Sequence, residues 1–316
     1  MSLKEKILEL SRQSQIGELS PFLSETLNGA IAAGYYPDHG GLIRVNEYII
    51  ARTRLYRDES GTSTVVLGMS GGVDSALAAA IFAKAGFRVI GVTMPIQQEP
   101  IETTRGIEAC RALGIERSHI DLSDLYAQTV EALSLLDNDL ADTGNRRDVK
   151  IRRGNLRARL RMITLYNLAS ATGGLVASTD NLSELAAGFW TLHGDAGDFS
   201  PIQALTKSWE VPALAQLNGV PDSTVRAFPT DGLGIDAGDE AQLGCSYLEW
   251  DLMVYALANG LDIPSSEERV QSAVMRRMQA TWFKRRNPIL VPHPLGTRFA
   301  MIDAIDRKYF VPEPFQ

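Results

Sequence analysis

The sequence predicts an α/β protein: a doubly wound parallel sheet flanked by helices, with further helical segments at its N- and C-terminal ends. Three observations predict it. Short apolar, β-branched runs alternate with segments of helical period, which is the pattern of βαβ units. Glycines stand where those helical segments should stop. A Gly-Gly turn joins the first run to the helix after it, so a ligand site is expected at the carboxyl ends of the strands.

Residues 1–60 read as three helices, LKEKILEL, LSETLNGAIAAG and LIRVNEYIIARTRLY, closed by Gly61. TVVLGM (64–69) is an apolar run suited to a strand buried on both faces. Residues 70–74 form a glycine turn, 75–85 a helix stopped by Gly86, and FRVIGVTM (87–94) the next buried strand. A helix over 103–113 stops at Gly114. A short strand over 119–122 and a helix over 125–136 follow. Residues 137–150 are polar without a clear period and read as a loop. A helix over 156–171, a strand over 175–179 and a helical turn over 180–187 complete the alternation, and helical segments then dominate to about Phe283. The expected organisation is an N-terminal helical segment (1–60) belonging to the same domain, a nucleotide-handling domain (61–290) and a C-terminal tail (291–316).

Composition narrows the class. The chain has 316 residues, 45% hydrophobic and 22% charged, as expected of a globular protein. A net charge of −7 argues against a broad electrostatic grip on nucleic acid. The basic clusters at 146–153 and 284–286 read mostly as solvated surface. No apolar run suffices for a membrane span, and the polar start lacks the features of a signal peptide. Cys110 and Cys245 lie in helical-looking segments and read as buried free thiols. A cytoplasmic location is expected.

The most informative segment is Gly68-Met69-Ser70-Gly71-Gly72-Val73-Asp74-Ser75, between a buried strand and a helix. Adjacent glycines let backbone approach backbone, and successive N–H groups at a helix start make an anion site to which Ser70 and Ser75 add hydroxyls. It is neither a Walker A loop nor a dinucleotide GxGxxG. Asp74 would repel a bare triphosphate, so it reads either as a Mg²⁺ ligand or as a helix-dipole partner. A second carboxylate at a neighbouring strand end would decide, and Glu184, after LVASTD (175–180), is placed to supply it.

The SGGVDS loop resembles that of the ATP pyrophosphatase (PP-loop) superfamily, with its adenine nucleotide alpha hydrolase-like fold. STDNLSE, GFWTLHGDAGDFSPIQALTK, the arginine segment GNLRARLRM (154–162), FPTDGL, DEAQLGCSY and FKRRNP follow in order, and together they resemble the NAD synthetase family. The resemblance runs from about Thr64 to Pro288. It implies an ammonia-dependent ligase, typically a homodimer with the dinucleotide site at the subunit interface. Such an enzyme adenylylates the nicotinate carboxylate of deamido-NAD with ATP and Mg²⁺, then releases AMP to ammonia.

By the same resemblance the Gly68–Ser75 loop, Thr179, Lys207 and Thr230 contact ATP. Asp74 and Glu184 hold Mg²⁺, Arg159 and Asp198 bind the dinucleotide, and Lys284 lies near its nicotinate end. Catalytic roles fall to Asp74, Lys207 and Asp198, with Asp195 or Asp198 as the group that deprotonates ammonium. Independently of the family, Leu156, Leu160 and Ile163 suggest a buried helix face. Arg159 borders that face, whereas Arg157 and Arg161 are read as solvent or interface charges.

The family commonly has lysine at Leu192 and histidine at Phe283, and the 194–198 loop is one residue short. His193 either substitutes in part for that lysine or is an exposed loop residue. These departures keep open nicotinic acid mononucleotide, giving NMN, as an alternative substrate, beside a different PP-loop ATP pyrophosphatase. Segments 97–105 and 230–239 are expected lids over a water-sensitive adenylate. The length and the two buried-looking cysteines leave no room for a glutaminase domain, so free ammonia or a separate glutaminase is the expected nitrogen source.

Overall fold

A computed structural model describes residues 1–11, 18–142, 144, 146–230, 238–289, 291, 298–309 and 311. Among these, four parallel strands form one sheet: β1 (Thr64–Gly68), β2 (Arg88–Thr93), β3 (Glu116–His119) and β4 (Leu175–Val176), in the order β3-β2-β1-β4. The helices in chain order are α1 (Leu3–Ser11), α2 (Pro21–Ala32), α3 (His39–Ser60), α4 (Val73–Lys84), α5 (Pro100–Leu113), α6 (Ser123–Ser134) and α7 (Arg147–Thr172). They continue with α8 (Leu182–Ala187), α9 (Glu210–Leu217), α10 (Asp222–Val225), α11 (Asp239–Leu243), α12 (Tyr247–Ala258), α13 (Glu268–Thr281) and α14 (Arg298–Tyr309). None of the described helices is long and apolar enough to cross a membrane.

Period two in the strands sorts the core into two layers. Val65, Leu67, Val89 and Leu175 face a large cluster built from α2, α4, α9 and α12. Val66, Ile90, Val92 and Val176 face a smaller cluster under α6 and α7. The N-terminal helices join the first layer: Leu23, Leu27 and Tyr36 are buried, and Trp209 Nε1 donates to the Pro37 carbonyl at 2.9 Å. Cys110 and Cys245 are both buried and unbridged, as expected.

β1 has β2 on one side and β4 on the other, with registers Val65↔Val89 and Val65↔Leu175. The chain therefore leaves β1 toward one edge and later returns to its opposite side. That reversal opens a crevice beyond the carboxyl ends of β1 and β4. The Gly68–Ser75 loop leaves β1 there and residues 177–184 leave β4 there, which brings together segments more than a hundred residues apart.

Three sequence expectations need correction. The third strand is Glu116–His119 rather than 119–122, and all four of its residues are exposed. It is an edge strand held by pairing to β2 and by a bidentate Arg88–Glu116 ion pair at 2.7 and 2.8 Å, so no apolar run marks it. Helix α7 begins at Arg147, inside the expected 137–150 loop. Its polar first turns are tied to the preceding 3₁₀ turn by Arg153, donating to the Leu140 carbonyl at 2.7 and 3.0 Å, and by the Arg152–Asp137 ion pair. Finally, most of the expected 97–105 lid is the start of α5. Of the second lid, residues 231–237 lie outside the described residues, as do residues 292–297, 310 and 312–316 of the expected tail, whose described part is mainly α14.

Candidate functional site

A cavity of about 520 Å³, in the range of small-molecule sites, occupies the crevice. Its floor is the Gly68–Ser75 loop. Gly72 is the N-cap of α4 and supplies no side-chain cap, so the first N–H groups of a twelve-residue helix stay available to an anion. The loop is braced internally: Ser70 Oγ lies 3.1 Å from Ser75 Oγ and accepts the Gly72 N–H at 3.2 Å. Gly71 has φ +87°, and a Cβ there would sit 2.2 Å from the Glu102 carbonyl oxygen. Only glycine meets both demands.

The charged centre joins three segments. Lys207 Nζ forms an ion pair with Asp74 Oδ2 and lies 3.7 Å from Glu184 Oε1, with the Tyr247 ring 5.6 Å away. Burial opposes the Lys207 charge, but Asp74, Glu184 and Asp239 outweigh it and push the ammonium above its ordinary range. Burial, and then Asp74, drive Glu184 well above the usual carboxylate range despite Lys207.

Asn181 holds the two carboxylates in place. Fully buried, it caps α8: its Oδ1 accepts the Glu184 N–H at 3.0 Å, and Glu184 Oε2 accepts the Asn181 N–H at 3.2 Å. Its Nδ2 donates to Asp74 Oδ1 at 2.9 Å. The other end of α8 sits in a basic collar. Arg277 Nε donates to the Ala187 carbonyl at 2.9 Å, Thr281 Oγ1 to the same oxygen at 3.1 Å, and Arg285 Nη1 to the Ala186 carbonyl at 2.9 Å. Cations at a helix C-terminus also interact favourably with its dipole. Asp251 of α12 fixes the lysine's strand of chain: it accepts from Ser183 Oγ at 2.5 Å and from the Ser208 N–H at 3.2 Å, while Ser183 Oγ accepts the Lys207 N–H at 3.0 Å.

The far wall carries Asp180, Asp195 and Lys284. Burial first, and then Asp195, push Asp180 up to about 7, and burial also raises Asp195. Burial lowers Lys284 to about 8; its Nζ donates to the carbonyls of Gly188, at 2.8 Å, and Trp190.

The structure gathers most, but not all, of the sequence-derived residues. Thr179, Glu184, Lys207, Lys284, Thr230 and all of the Gly68–Ser75 loop except Gly71 line the cavity; Thr230 stands at its rim, 3.3 Å from Glu102 Oε1. Arg159 and Asp198 do not line it. Arg159 is exposed, with Nε donating to the Leu192 carbonyl at 3.3 Å. Asp198 is tied to the end of β4, accepting from the Val176 N–H and the Tyr166 hydroxyl, each at 2.8 Å.

Of the three arginines in the 154–162 segment, the one that lines the cavity is Arg161, donating to the Met94 carbonyl at 3.1 Å and to Gln98 Oε1 at 2.6 Å. The buried side of α7 includes Ala158, Leu160, Met162, Leu165 and Ala169, with Leu156 packed partly buried against it, whereas Ile163 is 66% exposed. Arg161 is i+3 from Ala158 and i−4 from Leu165, so it belongs to the inward side. His193 is exposed with φ +59°, as a loop residue.

Residues 45–288 match the family described as NAD synthase. The chain belongs to that family. Its NH(3)-dependent NAD(+) synthetase relative from Alkaliphilus metalliredigens is 34% identical over 230 residues, covering 71% of this chain and 89% of the relative. Among solved structures, the NMN synthetase from Francisella tularensis superposes with TM-score 0.68 at 25% identity, covering 80% of this chain and 98% of that one. The NH3-dependent NAD synthetase from Campylobacter jejuni gives TM-score 0.63 at 26% identity, covering 79% and 98%. The parallel sheet with helices on both faces is thus a NAD synthase fold.

Sequence reasoning missed several residues of the site in this family member: Asn181, Asp239, Arg161 and Asp251. Asn181 had a readable signal, because N-x-x-E ahead of an apolar turn is a capping box. Asp239 and Asp251 carry no such local mark.

Proposed function

We propose that the chain is an ammonia-dependent NAD synthetase, which joins ammonia to the nicotinate carboxylate of deamido-NAD and converts ATP to AMP and pyrophosphate. The observation that carries this reading is the Lys207 ammonium held between Asp74 and Glu184 beside the phosphate loop.

A carboxylate resists nucleophiles because of its own charge. Attack of its oxygen on the α-phosphorus breaks the bond to the β-phosphate and leaves an acyl-adenylate. The N–H groups at the start of α4 and the Lys207 ammonium face the phosphates on which charge accumulates. Asp74 and Glu184 offer hard oxygen donors that converge on one cation position, at present that of Lys207 Nζ. This fits Mg²⁺, which binds through one or two carboxylates plus substrate phosphates. Among the described residues no set of three or more His, Cys, Asp or Glu is arranged as a metal cage. When bound, Mg²⁺ supplies neutralisation of the departing pyrophosphate.

Ammonia then attacks the acyl carbon, the acyl C–O bond breaks, and AMP leaves with its electrons. Most of the nitrogen arrives as ammonium, so a buried carboxylate must take its proton. Asp195 lines the cavity and Asp198 does not, so Asp195 fits that role better. Arg159 and Asp198 lie outside, on a surface shared with exposed Ile163 and Tyr166. This arrangement suits a homodimer in which the dinucleotide spans two copies.

A second reading is amidation of nicotinic acid mononucleotide. It is favoured by Leu192 and Phe283, which adjoin in sequence the cavity-lining Thr191 and Lys284, and by the likeness to an NMN synthetase. Mass analysis of products from ATP, Mg²⁺, ammonium and either acid separates the two. Formation of NAD with AMP and pyrophosphate is expected; NMN from the mononucleotide at higher kcat/KM would replace the first reading with the second.

A further inference from the structure

We infer that Arg105 of α5 binds the β,γ end of ATP, and the pyrophosphate it becomes, as a phosphate clamp beside Lys207. The inference rests on the ATP-splitting reading above.

Helix α5 is pressed against the phosphate loop at two glycines. A Cβ on Gly71 would meet the Glu102 carbonyl at 2.2 Å, and a Cβ on Gly106 would meet the Met69 carbonyl at 2.5 Å. Arg105 lies between those contacts. Its Nε donates to the Gly71 carbonyl at 3.2 Å, and its side chain lines the cavity. The rest of the guanidinium makes no hydrogen bond among the described residues.

The other cations of the cavity are already engaged. Lys207 serves two carboxylates, Lys284 and Arg277 hold carbonyls at the end of α8, Arg161 holds Met94 and Gln98, and Arg147 is partnered as well. The cavity wall is otherwise strongly acidic, with Asp74, Asp180, Glu184, Asp195 and Asp239. A triphosphate entering it needs positive charge beyond Lys207. Arg105 supplies a planar fork matched to phosphate oxygens, anchored by one N–H to the loop that cradles them. Its anchor is at Gly71, ahead of the α4 N-terminus.

The test is calorimetric titration of inorganic pyrophosphate and, separately, of AMP, with Mg²⁺ present, into the wild-type chain, Arg105→Gln and Arg105→Lys. Loss of a charge-assisted phosphate contact should weaken pyrophosphate about tenfold or more in Arg105→Gln. Arg105→Lys should recover part of that, and AMP affinity should stay unchanged in both. Equal weakening of AMP and pyrophosphate would mean that Arg105 only shapes the loop, and would overturn the inference, as would unchanged pyrophosphate affinity. Should Arg105→Gln not fold, Arg105→Lys carries the same comparison: weakened pyrophosphate with unchanged AMP supports the clamp, and any other pattern overturns it. Because the readout is binding, it stands apart from the amidation assay; wild-type chain that binds both ligands yet forms no amide would sink the activity reading without touching this one.

Discussion

Asn181 Nδ2 donates to Asp74 Oδ1 at 2.9 Å while the same side chain caps the helix that carries Glu184. One amide thereby sets the spacing of two carboxylates whose chain positions differ by more than a hundred residues. Asn181→Asp keeps the cap but turns a donor to Asp74 into a repelling acceptor, whereas Asn181→Ala loses both functions. The alanine variant should lose about 1 kcal/mol of stability and the aspartate variant much less. Both should need more Mg²⁺ for half-maximal rate and fall roughly tenfold or more in kcat/KM for ATP. A normal Mg²⁺ requirement in Asn181→Asp would reduce Asn181 to a helix cap.

Removing the Lys207 charge leaves buried carboxylates without their partner. Lys207→Met is expected to lose about 3–5 kcal/mol, the usual cost of breaking a buried pair. It should also lower kcat by about 10²-fold or more. The folded-state pKa of Glu184 lies above its unfolded value. The folded state therefore holds that proton more tightly, and the variant should regain stability as pH falls. Denaturant midpoints at pH 8 and pH 6 check the sign: a variant less stable at pH 6 would contradict it.

Asp251 gives a second pH signature. Burial pushes its carboxyl up to about 6 from an ordinary value near 3.8, against the hydrogen bonds from Ser183 and Ser208 that favour the anion. A raised carboxylate pKa means that stability is lost as pH rises through this interval, between about 4 and 6. Asp251→Asn cannot ionise, so the difference in unfolding free energy between variant and wild type should shift in the variant's favour across that window and level off above it. A constant difference from pH 4 to pH 7 would rule out the burial effect.

Gly188 ends α8 with φ +61°, and a Cβ there would sit 2.3 Å from Thr281 Cβ. Gly188→Ala should cost at least about 1–2 kcal/mol from the left-handed backbone, with the steric conflict added. Since the collar of Arg277, Thr281 and Arg285 grips this end of α8, the substitution should also lower ATP turnover through Glu184. Thermal unfolding and steady-state rates measured together check both; full activity in a destabilised variant would uncouple the collar from the site.

Much of the architecture was legible in the chain because its signals are local. The β1 loop, the buried strands β1 and β2, and the glycine stops of α3, α4 and α5 depend on residues adjacent in sequence. Edge strand β3 was misplaced because it is polar and owes its form to β2 rather than to its own burial. The first turns of α7 were missed for a similar reason: Arg152 and Arg153 are satisfied by groups in the preceding turn. Among site residues, Lys207 and Glu184 were found by pattern, while Arg161 was passed over for Arg159. Of the expected stripe, Leu160 is buried and Leu156 packs against the core, but Ile163 is exposed, and the inward side also takes in Ala158, Met162 and Leu165, which brings Arg161 with it.

By itself the sequence determined the kind of chemistry. An SGGVDS turn after a buried strand makes an anion site from its own backbone, whatever surrounds it. The tertiary structure alone decided which charges meet there. Lys207, Asp74, Glu184 and Arg105 come from four separate segments, and their juxtaposition depends on β4 returning beside β1 and on α5 packing against two glycines. Coulomb interactions at 3–4 Å in a buried crevice reshape each group's proton affinity, and no local pattern of residues encodes such distances.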